Sequence, residues 1–124
     1  MIQVLLIDDD QELCNLQRDY LTSEGFAVTV CHNGEQGLET ALRGEFDILL
    51  LDQMLPGLSG SELLRRLRQH SALPVLMITA EAKKENIIAA AQAGASGYIV
   101  KPFTAATLSE KLEKIFEKMG KKAA

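Results

Sequence analysis

The feature that most constrains the fold is a run of four apolar residues, Ile48 to Leu51, that ends on a carboxylate, Asp52. A short, unbroken apolar run between polar boundaries is typical of a strand buried on both faces, as in a parallel sheet. Because an unpaired charge is costly to bury, Asp52 is expected to emerge at the carboxyl end of this strand. The Pro56-Gly57 pair then predicts a turn. Ligands of open α/β sheets bind at the carboxyl edge, so Asp52 is the first candidate site residue.

A pattern of a short apolar segment followed by a longer amphipathic one repeats along the chain. Strands are predicted at 3–7, 26–31, 48–51, 75–78 and 97–100, with a helix after each. This alternation predicts an α/β fold with one parallel sheet, helices on both faces and right-handed crossovers. Five strands in a chain of this length fit the doubly wound, flavodoxin-like order 2-1-3-4-5.

All five predicted helices carry apolar residues on one face, among them the first, third and fourth. In the first helix (11–24) they are Leu13, Leu16, Tyr20 and Leu21. In the third helix they are Leu63, Leu64 and Leu67. In the Ala-rich fourth helix (83–93) they are Ile87, Ile88 and Ala91, which are expected to face inward.

Polar residues mark the ends and outer faces of these helices. One of three acids, Asp8, Asp9 or Asp10, is expected to cap the first helix, and Ser59 or Ser61 is expected to cap the third. The basic residues of the third helix are predicted to point to solvent. They are Arg65, Arg66 and Arg68.

Composition and charge narrow the class of protein. The 124 residues amount to one domain, of which 47% are hydrophobic. The net charge is −4 and no basic block stands out, which disfavours nucleic-acid binding. No apolar run approaches the length of a membrane span, and the first residues lack the features of a signal peptide. A cytoplasmic protein that does not enter membranes is therefore expected.

The cysteines and histidines offer no metal-type spacing. Cys14 and Cys31 are expected to be reduced and buried. Neither His32 nor His70 has a cysteine or a second histidine nearby, so both are predicted to be surface residues.

Polar or charged residues follow four of the five predicted strands. They are Asp8 and Asp9 after the first, Asp52 after the third, Thr79 after the fourth and Lys101 after the fifth. In the order 2-1-3-4-5 these positions converge on one edge of the sheet. Like charges about 4 Å apart repel by about 4 kcal/mol at an effective dielectric of about 20, so this acidic site favours a bound cation. Carboxylates and backbone carbonyls suit Mg²⁺, whereas the absence of converging His or thiolate ligands in the predicted site disfavours zinc.

A site neutralised in this way can accept a phosphoryl group. Asp52 is the candidate nucleophile, and the metal, Lys101 and the Thr79 hydroxyl are candidates to stabilise the phosphoryl oxygens. A flavin carrier of the same fold class would need a phosphate-binding loop where the acidic segment 8–10 stands. An aspartate-nucleophile phosphatase would need a second acid shortly after Asp52, which residues 53–55 do not supply.

These residues, in this order and spacing, resemble the response-regulator receiver domain over essentially the whole chain. The matching motifs are Asp8-Asp9, the segment 51–57, Thr79-Ala80 and Lys101-Pro102. The resemblance implies phosphorylation of Asp52 by a phosphohistidine on a partner histidine kinase. It implies Mg²⁺ held by Asp9, Asp52 and the backbone carbonyl of Met54, with Asp8 helping through water. It also implies that Lys101 contacts the phosphoryl group and that the Lys101-Pro102 bond is cis.

The resemblance further implies a switch that changes a binding surface. Thr79 would move toward the phosphoryl group, and the ring of Tyr98 would turn inward. The surface of the fourth helix, fifth strand and fifth helix would then bind a flagellar-motor switch protein. Its residues, which we call the partner surface, are Lys84, Ile87, Tyr98 and Lys111.

Such a receiver is a signalling protein and not an enzyme, since it catalyses only its own phosphorylation and dephosphorylation. Met54 and Glu81 flank the site and are expected to influence how fast water attacks the acyl phosphate. A monomer formed of one receiver domain, residues 1–124, is expected, with no effector or DNA-binding domain.

The two halves of the chain resemble different classes of receiver. From about Ser71 onward the chain is similar to chemotaxis receivers of the CheY type. The first part is more similar to receivers of winged-helix transcription factors, with Met54 and Leu55 after the aspartate. This difference raises the hypothesis of an engineered chimera, and with it the alternative of a receiver fold that has no native output.

Overall fold

The chain folds into five strands that alternate with five helices. The computed structural model describes residues 1–80 and 83–120. The strands are β1 (Gln3–Ile7), β2 (Ala27–Cys31), β3 (Ile48–Asp52), β4 (Val75–Thr79) and β5 (Gly97–Val100). The helices are α1 (Gln11–Ser23), α2 (Gly34–Arg43), α3 (Gly60–Arg68), α4 (Lys84–Gln92) and α5 (Ala105–Lys118).

The strands form one parallel sheet in the order β2-β1-β3-β4-β5, which confirms the predicted doubly wound α/β fold. In the registers, Ile7 lies beside Leu51, and Asp52 lies beside Ile78. The carboxyl ends of β1, β3 and β4 therefore reach the same edge of the sheet. This edge is where the charged residues predicted from the sequence are brought together.

The core consists of two apolar clusters, one on each face of the sheet. All five residues of β3 are buried, and alternate side chains of this strand enter the two clusters. Leu50 joins the cluster formed with α1 and α5, whereas Leu49 joins the cluster formed with α2 and α3. In the first cluster the rings of Phe26 and Phe116 stack with centroids 6.1 Å apart. Burial on both faces explains why β3 is apolar throughout until Asp52.

Side-chain caps decide which polar residues remain for other roles. Asp10 caps α1, because its carboxylate accepts a hydrogen bond from the backbone N–H of Leu13 at 3.0 Å. Asp8 and Asp9 are therefore not used as the cap. Of the two candidate serines, Ser59 caps α3 and accepts from the backbone N–H of Glu62.

Some predicted faces are wrong in detail. The buried residues of α1 are Cys14, Gln17 and Leu21, whereas the side chain of Leu16 is 65% exposed. In α4 no residue is buried. Ile88 and Ala91 are exposed, Ile87 is half-buried, and Ala90 and Ala93 pack against the second cluster instead. A stretch rich in small alanines gives a weak apolar period, which is why the inward face was misplaced.

Other expectations are met or corrected within the described residues. Cys14 and Cys31 are free and buried, as predicted. Arg65 and Arg66 are exposed, but Arg68 is half-buried and donates to backbone carbonyls, so its predicted solvent exposure is wrong. Of the helices in residues 1–80 and 83–120, none has the length and apolar character needed to cross a membrane.

Candidate functional site

Three carboxylates lie together at the carboxyl edge of the sheet. Asp8 directly follows β1 and is fully buried, and Asp52 ends β3 with 3% exposure. Asp9 is exposed. One oxygen of each carboxylate lies within 4.8 Å of those of the other two. The two buried acids are held in place by the strands, while Asp9 faces the solvent from which a cation would enter.

Lys101 supplies the positive charge of the site. Its Nζ donates a hydrogen bond to Oδ2 of Asp52 at 3.0 Å and lies 3.3 Å from Oδ2 of Asp8. The lysine directly follows β5, and its backbone N–H donates to the carbonyl of Thr79 at 2.8 Å. The Lys101-Pro102 peptide bond is cis, as predicted. One ammonium thus bridges two carboxylates from different strands.

The electrostatics of the site follow from burial and charge. Burial raises the pKa of Asp8, and the neighbouring Asp52 raises it further. The backbone N–H of Asp10 and the charge of Lys101 offset part of this increase. Burial alone lowers the pKa of Lys101, but its interactions with Asp52 and Asp8 outweigh burial, so the pKa is raised. The lysine therefore remains charged, and this one ammonium faces three carboxyl groups.

The donor set of the site fits Mg²⁺. Oδ2 of the buried Asp8 accepts no hydrogen bond, although it lies in ion-pair distance of Lys101. A buried carboxylate oxygen that faces one ammonium but accepts no well-aligned hydrogen bond can also bind a cation or a water bound to one. The nearby thiol of Cys14 donates to the carbonyl of Asp8 at 3.3 Å, and burial raises its pKa to about 12. This thiol stays protonated, which leaves oxygen atoms as the ligands and disfavours zinc.

The structure describes Met54 and Thr79, two of the residues predicted to lie beside the carboxylates. The backbone N–H of Met54 donates to Oδ1 of Asp52 at 3.2 Å, and the side chain of Met54 is 72% exposed. Thr79 ends β4 and lies beside Val100 of β5. Glu81, the other predicted flanking residue, lies outside the described residues.

The partner surface lies beside this edge and runs over α4, β5 and α5. Tyr98 is half-buried, and the Nζ of Lys111 lies 4.8 Å from the centroid of its ring. Lys84 and Ile87 lie in the first turn and middle of α4, the first exposed and the second half-buried. The structure therefore places all four predicted residues on neighbouring elements.

Two residues near the site were missed by the sequence analysis. His32 is exposed, as predicted, but its Nδ1 also lies 3.0 Å from the carbonyl of Asp8, which the sequence did not indicate. Gly60 donates its backbone N–H to the carbonyl of Gln53, and a Cβ at Gly60 would meet backbone atoms of Asp52 and Gln53. The only sequence signal for Gly60 is its place between two helix-capping candidates after the Pro-Gly turn, and His32 has no signal at all.

Comparisons with known proteins agree with this geometry. The family described as the response regulator receiver domain matches residues 4–113. The chain is 47% identical to "Chemotaxis protein CheY-3" of Vibrio cholerae over 122 residues, covering 95% of this chain and 94% of the relative. It is 44% identical to "Chemotaxis protein CheY" of Pseudomonas aeruginosa, covering 95% and 98%.

A solved structure gives the same result for the fold. The CheY-like response regulator receiver domain protein of Methanospirillum hungatei superposes with a TM-score of 0.89 at 30% identity, covering 97% of this chain and 98% of that one. The chemotaxis relatives match across both halves of the chain, so the comparisons give no support to the chimera hypothesis. The chain therefore belongs to the response regulator receiver domain family, as a CheY-like signalling domain.

Proposed function

We propose that this chain is a phosphoacceptor that receives a phosphoryl group on Asp52 from a histidine kinase, in a reaction that depends on Mg²⁺. The observation that supports this most directly is the Asp52 carboxylate itself. It is 3% exposed, lies 3.0 Å from a lysine and shares the edge of the sheet with Asp8 and Asp9. A structural ion pair has no need of two further acids beside it.

The proposed transfer breaks the P–N bond of a phosphohistidine and forms a P–O bond to Asp52, and the histidine nitrogen keeps the electron pair. Lys101 is placed to contact a phosphoryl oxygen, because its Nζ already lies beside Oδ2 of Asp52. Asp9, Asp52 and the carbonyl of Met54 would hold Mg²⁺, with Asp8 acting through water. Bound Mg²⁺ supplies positive charge that offsets the carboxylates and the incoming phosphoryl group.

Phosphorylation is proposed to change the partner surface. Thr79 and Tyr98 are the switch residues, and Lys84, Ile87 and Lys111 complete the surface. The relatives are chemotaxis proteins by their descriptions, which supports a flagellar-motor switch protein as the partner. In this proposal residues 1–124 form a single receiver domain that acts as a monomer and catalyses only its own phosphorylation and dephosphorylation.

The phosphoacceptor is tested by intact mass after incubation with Mg²⁺ and acetyl phosphate. One added phosphoryl group is expected, and it should be absent from Asp52→Asn and from samples without Mg²⁺. If the adduct hydrolyses before it can be detected, beryllofluoride, a stable analogue of the phosphoryl group, should still bind at the site. A chain that shows neither an adduct nor a response to beryllofluoride would not have the proposed function.

The metal is tested separately through stability. Asp8→Asn removes one charge from a buried cluster of like charges, so it should raise the free energy of unfolding without metal by roughly 1 kcal/mol or more. Mg²⁺ should raise the Tm of the unsubstituted protein, and it should raise that of Asp8→Asn clearly less, because the water-mediated contact is lost while the direct ligands remain. Equal stabilisation of both proteins by Mg²⁺ would remove Asp8 from the metal site.

The same pair of proteins has a defined pH dependence in the absence of Mg²⁺. The pKa of Asp8 is raised in the folded state, so the protonated form favours folding and its contribution is lost as pH rises through that raised pKa. The stability advantage of Asp8→Asn should therefore be present at neutral pH and shrink as the pH falls through the pKa of Asp8.

Output is tested by the affinity for a flagellar-motor switch peptide with and without beryllofluoride. Tighter binding in the activated state is expected, and Lys111→Ala should weaken it. An affinity that beryllofluoride does not change would favour the alternative of a receiver without a working output.

A further inference from the structure

The guanidinium of Arg68 links the end of α3 to the turn that follows α4. Its Nε and Nη2 donate to the carbonyl of Gly94 at 3.1 and 2.8 Å, and its Nη1 donates to the carbonyl of Ser71 at 3.2 Å. Gly94 follows α4 and is 26 residues from Arg68, which ends α3. A planar fork of donors that satisfies two carbonyls at once fixes both position and orientation.

The contact at Gly94 is packed as well as hydrogen-bonded. Gly94 has a φ of +101°, and a Cβ there would lie 2.8 Å from Nε of Arg68 and 3.1 Å from its Cδ. The turn at Gly94 also closes α4, since the N–H groups of Gly94 and Ala95 donate to Ala91 and Ala90. Arg68 therefore holds the C-terminal end of α4 itself.

The rest of α4 is held less firmly. No residue of α4 is buried. The N-terminal turn carries Lys84, and Ile87 follows it, so this end contributes two residues of the partner surface. The guanidinium of Arg68 also places a positive charge at the C-terminal end of α4, where the helix dipole favours a cation.

We propose that Arg68 is a positioning residue that anchors the C-terminal end of α4, and that α4 reorients about this anchor when the partner surface changes. The anchor stands on the contacts alone, whereas the reorientation rests on the proposed function. Arg68 thereby determines where Lys84 and Ile87 are presented, from a position outside both the carboxylate site and the partner surface.

Hydrogen exchange of the unphosphorylated protein tests the anchor. In Arg68→Met, amides of α4 and of the turn at residues 93–95 should exchange at least about tenfold faster, with little change in α1 and α2. Arg68→Lys keeps the charge but lacks the fork, so its effect should be intermediate. Arg65→Met is the matched control, because Arg65 lies on the same helix and is exposed beside Glu62.

Two results would overturn the anchor. One is an equal acceleration in every helix, which would mean that Arg68 only adds to global stability. The other is an α4 that exchanges in Arg68→Met as it does in Arg65→Met. Arg68→Lys keeps the test valid if Arg68→Met does not fold.

The reorientation is tested by repeating the exchange with Mg²⁺ and beryllofluoride. In the unsubstituted protein the change should concentrate in residues 84–88 and leave residues 92–96 protected. In Arg68→Lys the change should extend to residues 92–96. A change that covers α4 evenly in the unsubstituted protein would overturn the pivot. No response anywhere would overturn the proposed function and the reorientation together, while the first experiment still decides the anchor.

Discussion

Helices α3 and α4 have the same length and pack on the same face of the sheet, but they are held in opposite ways. Each has nine residues. Helix α3 is capped by Ser59 and buries four residues, whereas α4 has no side-chain cap and buries none. Two helices of equal length on the same face of the sheet therefore need not be equally stable. Packing of an apolar face provides most of the stability of a protein helix, and only α3 has such a face.

The difference in packing between α3 and α4 corresponds to the part of the molecule that each helix contacts or forms. The first residue of α3, Gly60, packs against the backbone of Asp52, so this helix supports the carboxylate directly. Helix α4 instead presents Lys84 and Ile87 of the partner surface. A phosphoacceptor benefits from a rigid support, and a surface that changes on signalling benefits from an element that costs little to move.

The largest expected contrast concerns core packing. Leu67→Ala removes a fully buried side chain of α3 and should lower the free energy of unfolding by about 2–5 kcal/mol. Ile88→Ala in α4, where the side chain is 45% exposed, should change it by less than about 0.5 kcal/mol. Urea unfolding followed by circular dichroism measures both, and similar losses would remove the basis of the comparison.

The next contrast concerns the contact with the site. Gly60→Ala places a methyl group against backbone atoms of Asp52 and Gln53, which cannot rotate away. The expected loss is about 1–3 kcal/mol, together with slower phosphorylation by acetyl phosphate. Gln92→Ala at the exposed end of α4 is the control and should alter neither quantity. An unchanged phosphorylation rate in Gly60→Ala would separate α3 from the site.

A smaller effect is expected from the cap of α3. Ser59→Ala removes the acceptor for the backbone N–H of Glu62 and should cost about 1 kcal/mol in urea unfolding. Ser61→Ala should cost clearly less, because the hydroxyl of Ser61 makes only a solvent-exposed hydrogen bond to the side chain of Gln53 among the described contacts. The reverse order would mean that the other serine caps the helix.

The smallest effect distinguishes local from global unfolding. Ala91→Gly lowers the helix propensity of an exposed position in α4 by about 1 kcal/mol. If α4 unfolds at a lower urea concentration than the rest of the molecule, this loss appears as faster amide exchange within α4, while the midpoint of the main unfolding transition hardly moves. Arg65→Gly, at an exposed position of α3, should instead lower the midpoint. A lower midpoint for both would show that the two helices unfold together.

The sequence was sufficient to predict the fold and to predict that Asp8, Asp9, Asp52 and Lys101 lie close together. The strands β1, β3 and β5 contain short apolar runs, and Asp8, Asp52 and Lys101 stand where these runs end, so topology alone brings them to one edge. These positions are predictable because a buried parallel strand tolerates charge only at its end.

The details that the sequence did not predict depend on contacts without a local pattern. Arg68 bonds backbone carbonyls, which any residue provides, and one of them is 26 residues away. The alanines of α4 differ too little in size and polarity from one another to mark a face. In α1 the polar Gln17 occupies a buried position with no described hydrogen-bond partner, while the apolar Leu16 is exposed. Apolar spacing cannot anticipate an exchange of this kind.

The two ion pairs of Lys101 can form only when β1, β3 and β5 are all in place in the sheet. The lysine follows the last strand, and its ammonium reaches carboxylates on β1 and β3 across the intervening β4, 49 residues from Asp52 in the chain. A chain whose final strand has not docked has both acids but lacks their counter-charge. Under the proposed function, competence to accept a phosphoryl group is then a property of the completed fold, and a truncated or half-folded copy stays silent in the signalling pathway.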